Sequence, residues 1–249
     1  MPNLLRTADA QPDAAASTLT PTVGLEQTQV RVTACRRCPR LVRYLADIRA
    51  EHPDWWCRPV PSFGDPAARI LAVGLAPGRA GSNRTGRMFT GDGSGRFLYP
   101  VLHEVGLASQ PVAERIDDGL ALRDLYITAV GRCAPPQNKP LPDELARCSP
   151  FLAEELARLT QLRVIVSLGK IAHDRVLRLL GLRPAVYPFH HGAVYEIVAE
   201  TSLPGRHFTL IATYHPSRQN TQTRRLTRPM FLAIFREAVR LAGIPRSVL

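Results

Sequence analysis

Three sets of residues in this sequence have types and spacings that could do chemistry. Cys35-x2-Cys38 is joined downstream by Cys133 and Cys148. Thiolates spaced in this way ligate zinc or an iron–sulfur cluster, and spacing alone leaves the two open. The fifth cysteine, Cys57 in DWWCRPV, stands outside that pattern and reads as an ordinary thiol. A second set runs from Gly74 to Gly95, GLAPGRAGSNRTGRMFTGDGSG. Its glycines permit close backbone approach, its arginines suit phosphate, and Ser94-Gly95 can open a helix whose N-terminus accepts an anion. It lacks both GxxxxGK(S/T) and GxGxxG, which excludes the usual nucleotide-binding loops; the bland alternative is a solvated surface loop. The third set is Tyr214-His215-Pro216-Ser217-Arg218-Gln219-Asn220-Thr221. A histidine followed by proline sits in a stiff turn, where its imidazole can donate to a developing anion. A structural histidine is the competing interpretation.

Four short apolar runs must position these residues: Ile70 to Leu75, Leu125 to Val130, Val164 to Leu168 and Phe208 to Tyr214. Such runs read as buried parallel strands, and helical stretches lie between them: Gly95 to Val105, Pro142 to Leu159, Gly169 to Leu180, and Pro229 to Ala242 at the end. The alternation predicts an α/β fold, with Val194 to Ala199 as an extra strand or hairpin at the sheet edge. The first, second and fourth runs each lead into a polar or Gly/Pro-rich stretch, so three loops can converge on one crevice at the carboxyl ends of the strands. Behind Pro39, Leu41, Leu45 and Ile48 recur at helical spacing, which places Cys35 and Cys38 just before an amphipathic helix. Residues 53–66, with four prolines, read as a connecting loop. Residues 1–27 lack a sustained apolar period and read as a flexible leader, leaving 28–249 as a single domain.

Lys and Arg number 32 against 21 Asp and Glu, a net charge of +11 over 249 residues. That balance favours a polyanionic partner such as nucleic acid. No apolar run approaches the roughly 18 residues of a membrane span, and Met1 to Thr20 has Asp and Gln where a signal peptide needs an apolar core. A cytoplasmic protein that does not engage membranes is expected. In a reducing cytoplasm its cysteines serve as ligands or thiols rather than disulfides.

The pairing of GLAPG and GRMF with a C-terminal HPS resembles motifs A and B of the uracil-DNA glycosylase superfamily. The longer strings GSNRTGRMFTGDGSG and HPSRQNTQTRRLT resemble its family 5, and the likeness runs from about Cys35 to Leu226. It implies a three-layer α/β/α sandwich around a central four-stranded, mainly parallel sheet. It also implies a [4Fe-4S] cluster held by Cys35, Cys38, Cys133 and Cys148 in a structural role. The implied activity is a DNA-repair glycosylase, working as a monomer on double-stranded or single-stranded DNA and removing uracil and related deaminated bases by base flipping.

By the same resemblance, Phe89 stacks on the flipped base and His215 bonds the uracil carbonyl oxygen as charge develops. Gly74, Leu75, Ala76, Ala129 and Ser217 complete the substrate pocket. Arg84, Arg87, Arg218, Gln219, Asn220, Arg224 and Arg225 contact DNA, the last five in a loop that supports base extrusion. Leu75-Ala76 stands where other families carry an acid, so the water must be oriented elsewhere. Asn83 is favoured over Asp92 for that role. Ala129 replaces an Asn of family 4, which predicts a less discriminating pocket. The rival interpretations are a catalytically silent iron–sulfur DNA-binding protein of the same fold and an electron-transfer module.

Overall fold

In the computed structural model, which describes residues 21–245, the apolar runs form the centre of a six-stranded sheet. Its strands are β1 (Phe63–Gly64), β2 (Ile70–Gly74), β3 (Leu125–Ala129), β4 (Val164–Leu168), β5 (Val194–Val198) and β6 (His207–Thr213), ordered β1-β3-β2-β4-β6-β5. The four expected strands pair in parallel, with Gly74 beside Ala129 and Leu168 beside Thr213. Two antiparallel edges extend that centre: β1, inside the proline-rich loop of residues 53–66, and β5.

Among the described residues, eight α-helices surround the sheet: α1 (Pro21–Thr33), α2 (Pro39–Glu51), α3 (Ser82–Thr85), α4 (Gly93–Glu104), α5 (Pro142–Arg158), α6 (Lys170–Leu179), α7 (Arg218–Gln222) and α8 (Arg228–Leu241). Alternate strand residues serve opposite faces, as the pleat requires. Ile70, Ala72, Leu125, Ile127, Val164 and Val166 pack with Leu98 and Leu102 of α4 and Phe231 and Phe235 of α8. Leu71, Val73, Tyr126 and Ile165 pack with Leu25 of α1, Leu152 and Leu156 of α5 and Val176 and Leu177 of α6. The result is the three-layer sandwich. Because α4 and α6 lie on opposite faces, the chain leaves the adjacent strands β2 and β4 in opposite directions. A crevice opens at their carboxyl ends.

The leader drawn to residue 27 has to be shortened. Helix α1 starts at Pro21, and Leu25 and Thr28 are buried. Its apolar side is sparse, and polar partners on α5 hold it: the Thr28 hydroxyl donates to Glu154 at 3.0 Å, and Arg31 pairs with the same carboxylate. Hydrophobic periodicity does not register such contacts. Residues 1–20 lie outside the described residues.

One buried polar network ties the layers together. Arg132 and Glu155 form an ion pair with side chains 1% and 0% exposed. The Glu155 carboxylate also accepts from Thr128 of β3 at 2.7 Å and from Gln29 of α1 at 2.8 Å. Ser62 accepts from Arg132 through its hydroxyl oxygen, and its backbone N–H donates to Gln29 at 2.8 Å. Removing one member of such a pair leaves an uncompensated buried charge, which costs about 3–5 kcal/mol. Glu155→Ala should therefore lower the unfolding free energy by that order, read as a lower urea midpoint at unchanged m value. A loss below about 1 kcal/mol would show that water reaches Arg132.

Candidate active site

At the crevice, the segments following β2, β3 and β6 enclose a cleft of about 800 Å³. Gly74, Leu75, Ala76, Phe89, Asp92, Ala129, His215, Ser217, Arg218 and Gln219 all line it. Phe89 is buried and held at φ +54°. Its N–H donates to the Ser82 hydroxyl at 2.9 Å, and its carbonyl lies where a Cβ on Gly95 would come within 1.8 Å. No residue but glycine fits there. The Phe89 ring faces that of His215 at 5.9 Å between centroids, tilted by 31°.

His215 is fixed through its own carbonyl, which accepts from the Ser217 backbone at 2.8 Å and from the Asn220 amide at 2.9 Å. Burial of the ring among its neighbours lowers its pKa to about 4. The imidazole is therefore neutral at physiological pH, a donor that carries no charge. Asp92 caps α4, where its Oδ1 accepts the Gly95 N–H at 3.0 Å. Its Oδ2 has no hydrogen-bond donor among the described residues, and it lies where a Cβ on Gly81 would come within 2.0 Å. A free carboxylate oxygen, a neutral imidazole and an aromatic ring thus share one cleft.

The family model of the uracil DNA glycosylase superfamily matches residues 61–239. The chain belongs to this superfamily. It is 55% identical over 218 residues to a type-5 uracil-DNA glycosylase of Thermus thermophilus, covering 86% of this chain and 96% of the relative. A type-5 uracil-DNA glycosylase of Pyrobaculum aerophilum is 42% identical over 217 residues, 86% of this chain and 91% of its own. A type-4 uracil-DNA glycosylase of Archaeoglobus fulgidus is 30% identical over 187 residues, 75% of this chain and 78% of its own.

In this superfamily member several expected site residues prove to be engaged elsewhere. Asn83 is fully buried and is not among the residues that line the cleft: its amide nitrogen lies 3.8 Å from the Cys57 sulfur and 3.4 Å from the Arg79 carbonyl, and its Oδ1 has no partner among the described residues. Arg87 is not free for phosphate, because its buried guanidinium is held bidentately by Asp118 at 2.7 and 2.8 Å and donates to Thr90. Arg84 is occupied within its own loop by the carbonyls of Ala80 and Gly91. Asn220 buttresses His215 instead of reaching outward. Arg218, Gln219, Arg224 and Arg225 are exposed on or beside α7, with Arg225 4.5 Å over the Tyr214 ring. Sequence reasoning missed Gln137 and Asn138, which line the cleft at φ +54° and +57°. Their signal lay in GRCAPPQNKP, a stretch read only for its cysteine.

The four patterned cysteines line one cavity at the other end of this same loop, with Leu41, Val42, Leu145 and Phe151 as apolar walls. Cys38 precedes α2, Cys133 follows β3 and Cys148 sits within α5. Burial pushes the thiols of Cys38, Cys133 and Cys148 upward, so a cationic group is needed to hold them as thiolates. Among the described residues, no three His, Cys, Asp or Glu side chains converge tightly enough to hold a single metal ion.

The depressed His215 pKa has a sign that can be checked. The folded state resists protonation, so stability is full above the ordinary histidine value near 6.5 and falls as pH drops toward 4. In a histidine-labelled NMR titration, the His215 ring should stay neutral down to about pH 5. A midpoint near 6.5 would mean that the ring is hydrated.

Proposed function

We propose that this chain is a type-5 uracil-DNA glycosylase that hydrolyses the N-glycosidic bond of uracil and related deaminated bases flipped out of DNA. The observation that carries the proposal is the facing of Phe89 and His215 across a cleft that also holds the Asp92 carboxylate. A base extruded from the duplex stacks on Phe89, and the neutral imidazole donates to its carbonyl oxygen as the bond electrons pass to the base. Asp92 Oδ2 orients water toward the anomeric carbon. The water oxygen bonds that carbon, and its proton leaves toward the carboxylate or the departing base. Asn138 is a second polar group for that water. Ala129 offers no amide to read the base edge, which suits a broad range of deaminated bases. Every residue named comes from one chain, so a monomer suffices.

The cysteine cavity suits an iron–sulfur cluster. Four cysteines, Cys35, Cys38, Cys133 and Cys148, line it together, the number and type of ligand that such a cluster takes. The buried Nε of Arg132, a cavity-lining residue, also lacks a partner among the described residues. Cys35, Cys38, Cys133 and Cys148 would hold the cluster, which supplies a cross-link between the arm before α2, the loop after β3 and α5. Free thiols of this kind suit a reducing cytoplasm.

His215→Ala should lower the single-turnover rate of uracil excision by about 100-fold or more, the effect of losing a preorganised donor, with little change in DNA affinity. Asp92→Ala should have a comparable effect, whereas Asn83→Ala should act mainly on stability. Uracil released at the wild-type rate by His215→Ala would sink this mechanism.

Arg218 and Gln219 project from α7 into the cleft mouth, where they can occupy the hole left by a flipped base. Replacing both by Ala should reduce excision from paired duplex more than from single-stranded DNA, because extrusion costs less there. Equal losses on the two substrates would restrict the pair to plain DNA binding.

A further inference from the structure

Arg132 presents an unusual imbalance. Two of its guanidinium nitrogens donate to Ser62 and Glu155, yet its Nε–H is buried with no acceptor among the described residues. A charge-bearing donor left unmade in the interior is strongly unfavourable, which points to an acceptor supplied from outside the chain. Arg132 lines the cavity of Cys35, Cys38, Cys133 and Cys148, where that acceptor would be sulfur. Two other guanidiniums border the cavity. Arg37 donates from Nε to the Cys35 sulfur at 3.4 Å, and Arg147 pairs with Asp143. Both are open to water, which screens them, whereas Arg132 is dry.

We propose that Arg132 sets the reduction potential of a cysteine-ligated iron–sulfur cluster in this cavity, by donating its free Nε–H to a cluster or thiolate sulfur. The inference rests on the cluster reading above. Adding one electron makes the cluster more negative, and hydrogen bonds to its sulfurs favour that form and raise the potential. Glu155 cancels the charge of the guanidinium overall, so the directed Nε–H carries the effect. Arg132 is thus a positioning and tuning residue with no contact to the DNA base.

The test compares wild type, Arg132→Lys and Arg37→Lys, purified anaerobically. Iron and sulfide content, circular dichroism and an EPR-monitored titration with a low-potential one-electron reductant, dithionite or chelated Eu(II), are recorded for each. Lysine keeps a cation for Glu155 and removes the Nε–H. Arg132→Lys should retain fold and iron, with a lowered midpoint potential and altered EPR g values; Arg37→Lys should shift far less. If Arg132→Lys does not fold, Arg132→Met with Glu155→Gln leaves no unpaired buried charge and should show the same lowered midpoint. An unchanged midpoint in the variant that folds, or an equal shift in Arg37→Lys, overturns the assignment. Wild-type protein free of iron and sulfide overturns the cluster itself, a failure read from the metal analysis alone.

Discussion

A guanidinium buried against a carboxylate, Arg132 on Glu155, is the constraint from which both ends of the molecule hang. Such a pair is weak evidence for stability, since desolvating two charges offsets most of their attraction. It is strong evidence for position, because any arrangement that parts them is heavily penalised. Val130 and Gly131 first extend the pairing of β3 with β2, donating to the carbonyls of Gly74 and Leu75 at 3.0 and 2.8 Å. Arg132 then turns inward, its carbonyl accepting from Val60 at 2.7 Å. Cys133 enters the sulfur cavity next, and Gln137 and Asn138 reach the cleft a few residues later. One anchored residue therefore fixes the register of a loop that serves two sites, while Thr128 links the same carboxylate to the strand ending in Ala129.

The cleft is built around a backbone conformation that few residues tolerate. Phe89 at φ +54° is strained, and strain of this kind persists only where the surroundings over-determine it. Here the surroundings are specific: Ser82 holds the N–H, Gly95 yields room for the carbonyl, and the Tyr99 hydroxyl donates to the neighbouring Met88 carbonyl at 2.8 Å. Arg87, two residues earlier, is fastened to Asp118. An aromatic ring held without freedom loses little entropy when a base stacks on it. His215 is likewise held at its backbone, where the carbonyl takes two hydrogen bonds.

How far the fold and site were legible follows from which forces leave a trace in sequence. Continuous burial on both faces gave β2, β3, β4 and β6 as apolar runs, and the cysteine spacing and the YHPS turn carried their own chemistry. The edge strand β1 is two residues long and half-buried, so no pattern marks it. Helix α1 is held by Thr28, Gln29 and Arg31 against carboxylates more than 100 residues away, which local periodicity cannot sense. Asn83 and Asp92 were indistinguishable by type, since both are small polar residues in a glycine-rich loop. Their directions separate them: one lies in the turn of α3 that faces Cys57, the other caps α4 at the cleft. Nor does composition tell an arginine that binds phosphate from one that binds Asp118.

That last distinction changes what the net charge of +11 means. Arg87 and Arg132 are themselves buried and cannot be released without leaving Asp118 or Glu155 unpaired. Arg31, Arg96, Arg115 and Arg228 pair with carboxylates at the surface, where solvent screens such bonds and leaves them weak. A phosphate can compete for these. Arg218, Arg224 and Arg225 stand exposed around α7, directly after His215. The whole-molecule charge draws DNA in from a distance, but counterion release counts only the cations that reach phosphates. On the proposed function, the number of phosphates neutralised is therefore set by the few exposed arginines around the cleft and not by the total charge.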